Sequence, residues 1–144
     1  MKGCLLLICF GFIPLSFGQQ LPAKKATKIE LNRTNWMSNI HCFTSENNVS
    51  YELTKTTDDL NFHWGNHISF QDGTFSTSYS APCGVDCFTN VTGTYKYVAL
   101  NRVEIYVESI QRNGFCSEES EVPKKIFGIY LIEQTKKGLK LTKQ

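Results

Sequence analysis

The chain has 144 residues, of which 41% are hydrophobic, 12% aromatic and 19% charged, and its formal net charge is +2. A chain of this length and composition is expected to fold as one globular domain, since it is too short for two full domains. The apolar content argues against a disordered tail. The even distribution of charge argues against an electrostatic nucleic-acid binder.

The first eighteen residues have the three-part organisation of a secretory signal peptide. Lys2 supplies the positive charge, Cys4–Pro14 is an almost unbroken apolar run, and small residues precede a cleavage site before Gln19. The run is well short of the roughly twenty residues that a transmembrane helix needs. We therefore expect residues 1–18 to be removed and the mature protein to be exported, either secreted or periplasmic, without a membrane span.

The rest of the chain divides into a short arm and a folded domain. Residues 19–32 begin with a polar, basic stretch rich in Lys and Ala, and we predict a flexible N-terminal arm there. Residues 33–144 alternate apolar and polar side chains in short segments that turn-forming residues separate, which is typical of β-strands. Asp72-Gly73, between two such segments, is the dipeptide most typical of a two-residue hairpin turn.

About eight such segments, with no sustained helical periodicity, predict an all-β fold. We expect a single antiparallel meander barrel, because closure hides the edges of a sheet, with a β-sandwich as the second possibility. The alternation in the last long strand predicts two faces. They carry Phe127, Ile129 and Leu131 on one side and Ile126, Tyr130 and Ile132 on the other.

The cysteines predict a disulfide framework. Four remain after removal of residues 1–18, and an even number in an oxidising compartment indicates two disulfides. A turn at Ala99–Arg102 would place Cys87 opposite Cys116 on adjacent strands, at the separation that a disulfide requires. We therefore favour Cys87–Cys116, with Cys42–Cys83 as the second bridge. A local Cys83–Cys87 loop with Cys42–Cys116 stays open as the alternative.

Three short stretches carry a family resemblance. Trp36 near the first strand, the hairpin Ile68–Phe75 and the triplet Gly93–Tyr95 together resemble small secreted lipocalin-like barrels of the calycin type. The stretch Cys87–Tyr95 also resembles the Cys-Asn…Gly-x-Tyr block of the META (HslJ-like) envelope proteins. The resemblance extends in layout over residues 33–142. It implies a lipocalin-like β-barrel.

No pattern in the sequence points to catalysis. A Gly-x-Ser-x-Gly nucleophile motif and a phosphate-binding glycine loop are both missing from the sequence, and the acidic pairs fall in turns or on polar strand faces. The three histidines, His41, His63 and His67, lack the spacing that would bring metal ligands together. We therefore expect a monomeric, non-enzymatic protein with no cofactor, no metal and no nucleic-acid partner.

The aromatic residues on predicted strands support the first functional hypothesis. They either fill the core or line a cavity for a small apolar molecule, as in the interior of some barrels. The favoured function is non-catalytic binding of such a ligand in the barrel interior. The candidate ligand-lining residues are Trp36, Phe62, Trp64, Phe70, Phe75, Tyr79, Tyr95 and Tyr97.

A protein-interaction or inhibitor module is the alternative hypothesis. Loops that disulfides pin to a rigid scaffold lose less entropy on binding, so the candidates are Ser80–Cys87 and the acidic segment Cys116–Glu121. Asn32, Asn48 and Asn90 begin Asn-x-Ser/Thr sequences, which become glycosylated if the host modifies its secreted proteins.

Overall fold

A computed structural model describes residues 27–56 and 64–144. The predicted signal peptide at 1–18 and two of the residues singled out above, Phe62 and His63, lie outside these ranges. The regular elements within these ranges are eight β-strands. They are β1 (Thr34–Ser38), β2 (Ser50–Lys55), β3 (Gly65–Gln71), β4 (Thr74–Ser80), β5 (Cys87–Ala99), β6 (Arg102–Gly114), β7 (Lys125–Gln134) and β8 (Gly138–Lys143).

The eight strands close into one antiparallel barrel, which confirms the predicted all-β fold class. From β3 to β8 each strand pairs with the next one in the chain, as in a meander. The first two strands exchange places: β1 lies between β2 and β3, and β2 pairs with β8 to close the barrel. Trp36 accordingly faces Lys55 of β2 on one side and Ile68 of β3 on the other.

The barrel has two different ends. The disulfide end, named after the Cys87–Cys116 bond, carries the β1–β2 connection at 39–49, the β4–β5 connection at 81–86 and the β6–β7 connection at 115–124. The opposite end carries the N-terminal segment and the tight β3–β4, β5–β6 and β7–β8 turns. The first of these turns is the predicted Asp72-Gly73 hairpin, and both residues have a positive φ. The predicted β5–β6 turn is also present, with Ala99 paired to Arg102.

Side chains from all eight strands fill the barrel interior. On β6 the residues Val103, Ile105 and Val107 are each 0% exposed, as alternation predicts. On β7 the two predicted faces are wrong, because Phe127, Tyr130 and Ile132 all point inward. The reason is an irregularity in the β6–β7 pairing: Ile105 pairs with Gly128 and Tyr106 with Ile126, so the alternation changes phase after Phe127.

The described part of the predicted N-terminal arm is held against the barrel. The Tyr97 hydroxyl donates a hydrogen bond to the Ile29 carbonyl at 2.6 Å and accepts one from the Leu31 N–H at 3.0 Å. The Asn101 side-chain oxygen accepts a third from the Ile29 N–H at 2.7 Å. Leu31 is 0% exposed and closes this end of the core. Burial raises the pKa of Tyr97 to about 12.

Gly93 lies at an irregularity of β5, close to the backbone of β6 and to the Phe75 ring. The β5–β6 register shifts between Thr92 and Gly93. A Cβ at position 93 would lie 2.0 Å from the Tyr106 carbonyl oxygen and 2.8 Å from the Phe75 ring. No side chain fits there, because both neighbours belong to the packed sheet.

Candidate binding surface at the disulfide end

The Cys87–Cys116 disulfide is present, as predicted. Cys87 begins β5 opposite Gly114, the last residue of β6, and the Cα atoms of the two cysteines are 4.6 Å apart. The Phe115 N–H also donates a hydrogen bond to the Asp86 carbonyl at 3.3 Å. The disulfide therefore ties the 115–124 connection to the end of the 81–86 connection. It also excludes the alternative pairing, in which Cys87 would be bonded to Cys83.

The predicted second bridge, Cys42–Cys83, is absent, and both residues are free thiols. Cys42 follows β1 in the 39–49 connection and turns into the core, where it is 2% exposed. Cys83 lies on the exposed part of the 81–86 connection. The two side chains thus have opposite surroundings, which spacing along the chain does not reveal. Burial raises the pKa of the Cys42 thiol to about 12.

Arg112 fixes the shape of the 115–124 connection. Its side chain is 5% exposed and forms ion pairs with Glu118 at 2.8 Å and Glu121 at 2.9 Å. The Ser120 hydroxyl accepts a hydrogen bond from the Arg112 N–H at 2.8 Å, and an antiparallel bridge joins Ile110 to Glu121. The connection is therefore folded back on β6 by charge-assisted and backbone contacts together.

The 39–49 connection places the aromatic ring of Phe43 inside the barrel. Phe43 is 0% exposed and its N–H donates a hydrogen bond to the Tyr51 hydroxyl at 3.1 Å. Outside the barrel, Lys143 donates a hydrogen bond to the Glu46 carbonyl at 2.9 Å, and Lys125 forms an ion pair with the Glu46 carboxylate. The Lys125 ammonium lowers the pKa of Glu46. This connection is therefore held by its buried ring and by lysines of the neighbouring strands.

The most exposed large apolar side chains of the described chain are concentrated at this end. Phe115 is 76% exposed, Val49 and Val122 are 67% exposed and Val85 is 66% exposed, whereas no other large apolar side chain in the described ranges exceeds 52%. Ile40 and Trp64 are exposed at the same end. We call the outer face of 39–49, 81–86 and 115–124, together with Trp64, the disulfide-end surface.

Two clefts separate the connections on this surface. One, of about 550 Å³, lies between residues 44–47 and the Arg112, Glu118 and Glu121 cluster. The other, of about 340 Å³, is lined by His41, Phe115 and the disulfide residue Cys87, among others. Both clefts share Thr44, Arg112 and Glu118 in their walls. The surface is therefore grooved, with protruding apolar side chains around a buried arginine.

Among the described residues, the predicted ligand-lining side chains lie in different places, and most of them belong to the packed core. Trp36, Phe70, Phe75 and Tyr95 are buried in the core, where Phe70 contacts the rings of Phe75 and Tyr95 with centroids 6.4 Å and 5.2 Å apart. The other predicted ligand-lining residues that the structure describes are not in the buried core. Tyr79 and Tyr97 are partly buried, Trp64 is half exposed on the disulfide-end surface, and Phe62 lies outside the described residues.

Sequence reasoning missed the aromatic cluster of Phe43, Tyr51 and Tyr130. Tyr51 and Tyr130 follow the strand alternation, although the phase change on β7 hid the inward direction of Tyr130. Phe43 had no such signal, because it belongs to a connection and not to a strand.

No protein-family model matches the chain, and no curated protein or solved structure matches it either. The resemblance to lipocalin-like and META-type barrels therefore stays a prediction. Within 27–56 and 64–144, no group of three or more His, Cys, Asp or Glu side chains is arranged to hold a metal ion. None of the described residues belongs to a helix long and apolar enough to cross a membrane.

Proposed function

We propose that the protein is an exported, non-catalytic interaction module that binds a protein partner through the disulfide-end surface. The observation that carries this proposal is the placement of the most exposed apolar side chains, Phe115, Val49, Val122 and Val85, on connections that a disulfide and ion pairs hold in position. Apolar side chains that protrude from a rigid surface are typical anchors of protein interfaces.

Rigidity of these connections favours binding. A connection that is already ordered loses little conformational entropy when a partner covers it. The Cys87–Cys116 bond lies beside the cleft that Phe115 lines, and the Arg112 side chain holds the acidic segment through its ion pairs. These restraints lie in the two segments that the sequence indicated for protein interaction, Ser80–Cys87 and Cys116–Glu121.

The charges on this surface indicate the kind of partner. The Glu118 and Glu121 side chains are 72% and 56% exposed although both are paired with Arg112. Glu118 lines the same cleft as Phe115, and both glutamates line the cleft beside residues 44–47. A partner with an apolar patch bordered by lysine or arginine side chains would match this arrangement.

Export rests on two features. Structural disulfides persist in oxidising compartments, and the first eighteen residues have the form of a secretory signal. A ligand in the barrel interior, the first hypothesis from the sequence, is less well supported by the geometry. Such a ligand would have to displace one of the side chains that the described strands pack into the barrel interior.

The test compares capture of partners by matched variants. Val85→Ser combined with Phe115→Ser removes two anchors from the disulfide-end surface, whereas Leu100→Ser removes an exposed apolar side chain at the opposite end. Each purified exported protein is immobilised and exposed to the extracellular fluid of its own source, and bound proteins are quantified by mass spectrometry. We expect a partner that the wild type and Leu100→Ser retain and that the double variant loses. Equal retention by all three proteins would refute the proposal.

A further inference from the structure

We propose that the protein partner contributes an extended segment, which adds as a β-strand to residues 87–91 of β5, on the side that faces away from β6. We call this side the β5 edge. It begins two residues after Val85, one of the exposed apolar side chains, so it is continuous with the disulfide-end surface. This mode of binding rests on the proposed function and names the kind of segment that the partner supplies.

The β5–β6 hairpin extends beyond β4 at the disulfide end. β5 and β6 pair as far as Cys87 with Gly114. The pairing of β4 with β5, in contrast, stops at Ser76 with Thr92. Within the described ranges, residues 87–91 therefore have a strand paired with them on the β6 side only.

The corresponding edge of β6 is covered by the protein's own chain. β6 stops pairing with β7 at Val107, but Ile110 exchanges two backbone hydrogen bonds of 2.8 Å with Glu121, as residues of antiparallel strands do. Two residues further along β6, the Arg112 N–H donates a hydrogen bond to the Ser120 hydroxyl at 2.8 Å. The chain before β7 thus acts as a neighbouring strand for β6. No segment of the described chain does the same for the β5 edge.

The backbone groups of the β5 edge point away from β6. The Val91 N–H donates a hydrogen bond of 2.9 Å to the Thr77 hydroxyl of β4, so the backbone of Val91 faces β4. Because these directions alternate along a strand, the N–H and C=O groups of Cys87 and Thr89 point the same way, and those of Phe88 point toward β6. An edge of this kind pairs with an extended chain, which offers complementary N–H and C=O groups at the same spacing.

β4 does not close the β5 edge. At Thr77 a side-chain hydroxyl, and not the backbone carbonyl, accepts the hydrogen bond from Val91, and the strand pairing does not resume beyond it. Three half-buried rings lie beside this position instead. The Tyr79 ring centroid is 5.1 Å from that of His41 and 6.1 Å from that of Phe88. An apolar side chain of the added segment would pack against these rings.

The charges near the β5 edge favour a different protein over a second copy of this chain. Asp86 precedes the edge, and Glu118 and Glu121 belong to the connection that the Cys87–Cys116 bond ties to it. An antiparallel pair of two such edges would set the two disulfide ends, and hence these carboxylates, against each other, and like charges repel. The segment is therefore an extended stretch of alternating apolar and polar residues with lysine or arginine at its ends.

Hydrogen exchange of the uncomplexed protein, followed residue by residue by NMR, tests the β5 edge without a partner. We expect the amide protons of Phe88 and Asn90, which face β6, to exchange about tenfold more slowly than that of Thr89. Equal protection of Thr89 would show that the edge is closed. That result would overturn this inference and leave the proposed function standing.

The pairing is then tested with a blocked peptide, acetyl-Lys-Val-Thr-Val-Thr-Lys-amide, at millimolar concentration. We expect it to slow exchange of the Thr89 amide by about fivefold or more. The matched control is the same peptide with its four central amides N-methylated, which removes their N–H donors, and it should have no effect. Absence of protection by the first peptide, or equal protection by both, would overturn the inference.

The complex with the protein retained in the capture experiment separates this inference from the proposed function. We expect the Thr89 amide to be protected in that complex. A retained protein that leaves Thr89 unprotected would overturn strand addition alone, whereas the failure to retain any protein would overturn the proposed function. Protection of Thr89 that appears on concentrating the protein alone, with formation of a dimer, would identify a second copy as the occupant and would also overturn strand addition by a partner.

Discussion

The backbone N–H of Phe43 donates its hydrogen bond to the hydroxyl of Tyr51, 3.1 Å away in the barrel interior. A residue of a surface connection is thereby joined to the inner face of β2. Burial raises the pKa of Tyr51, so the hydroxyl is neutral at physiological pH and serves as the acceptor. This contact, with the ring packing around it, closes the disulfide end of the core.

Substitution of the two buried tyrosines should affect stability unequally. Tyr51→Phe leaves the Phe43 N–H buried without an acceptor, which should lower the free energy of unfolding by about 1–3 kcal/mol. Tyr130→Phe removes a hydroxyl whose neighbour is the Tyr51 hydroxyl and leaves no backbone group without a partner, so it should lower that free energy by less, about 1 kcal/mol or below. Urea denaturation of both variants measures the difference. A greater loss for Tyr130→Phe than for Tyr51→Phe would contradict it.

Loss of the disulfide should destabilise the protein more than loss of a free cysteine. Cys87 and Cys116 are 29 residues apart in sequence, so their bond restricts the unfolded chain. We expect Cys87→Ser combined with Cys116→Ser to lower the free energy of unfolding by about 2–4 kcal/mol. Cys83→Ser, at an exposed free thiol, should leave it unchanged within about 0.5 kcal/mol. Equal denaturation midpoints for the two proteins would show that the bond contributes little.

The two free thiols should differ in reactivity. The pKa of Cys42 is raised to about 12, so at pH 8 only about one thiol in ten thousand is the reactive thiolate, and the side chain is also buried. Cys83 is exposed. Iodoacetamide at pH 8 should therefore modify Cys83 rapidly, and Cys42 only after denaturation. Peptide mass spectrometry identifies the modified residue; early labelling of Cys42 would be inconsistent with its burial.

Arg112 should control the order of the 115–124 connection. Arg112→Met keeps much of the buried side-chain volume but removes the partner of Glu118 and Glu121. Because both glutamates are largely exposed, we expect a modest loss of about 1–2 kcal/mol, with local release of the connection. Limited trypsin digestion should then cut faster after Lys124. Lys96→Met, which breaks the exposed ion pair with Glu104, serves as the control and should leave that rate unchanged.

Gly93 should tolerate no side chain. In Gly93→Ala the new Cβ would meet the Tyr106 carbonyl oxygen at 2.0 Å and the Phe75 ring at 2.8 Å, so the sheet must shift. The expected loss is about 3 kcal/mol or more. Gly84 has nothing within 4 Å of its hypothetical Cβ, and Gly84→Ala should stay within about 0.5 kcal/mol of the wild type. Thermal unfolding of both variants measures the difference. Similar unfolding midpoints for Gly93→Ala and Gly84→Ala would show that β5 can shift to accommodate a methyl group at position 93.

Local patterns in the sequence were sufficient for the fold class, for the β3–β4 and β5–β6 turns and for one disulfide. Alternation reports which side of a strand is apolar, and a dipeptide such as Asp72-Gly73 reports where the chain reverses. Once the Ala99–Arg102 turn was placed, the antiparallel register alone brought Cys87 opposite the end of β6, close to Cys116. All these features depend on residues close together in the chain or on one hairpin.

The remaining features depend on residues far apart in the chain, and only the tertiary structure decided them. The position of β1 between β2 and β3, the inward turn of Phe43 and the separation of Cys42 from Cys83 have no local signature. An apolar strand face indicates that other apolar groups must cover it. It does not indicate whether those groups belong to a ligand or to side chains of the protein. That choice follows from the summed volume of distant side chains in a close-packed interior. Here Leu31 and Phe43, neither of them on a strand, complete that volume from the two ends.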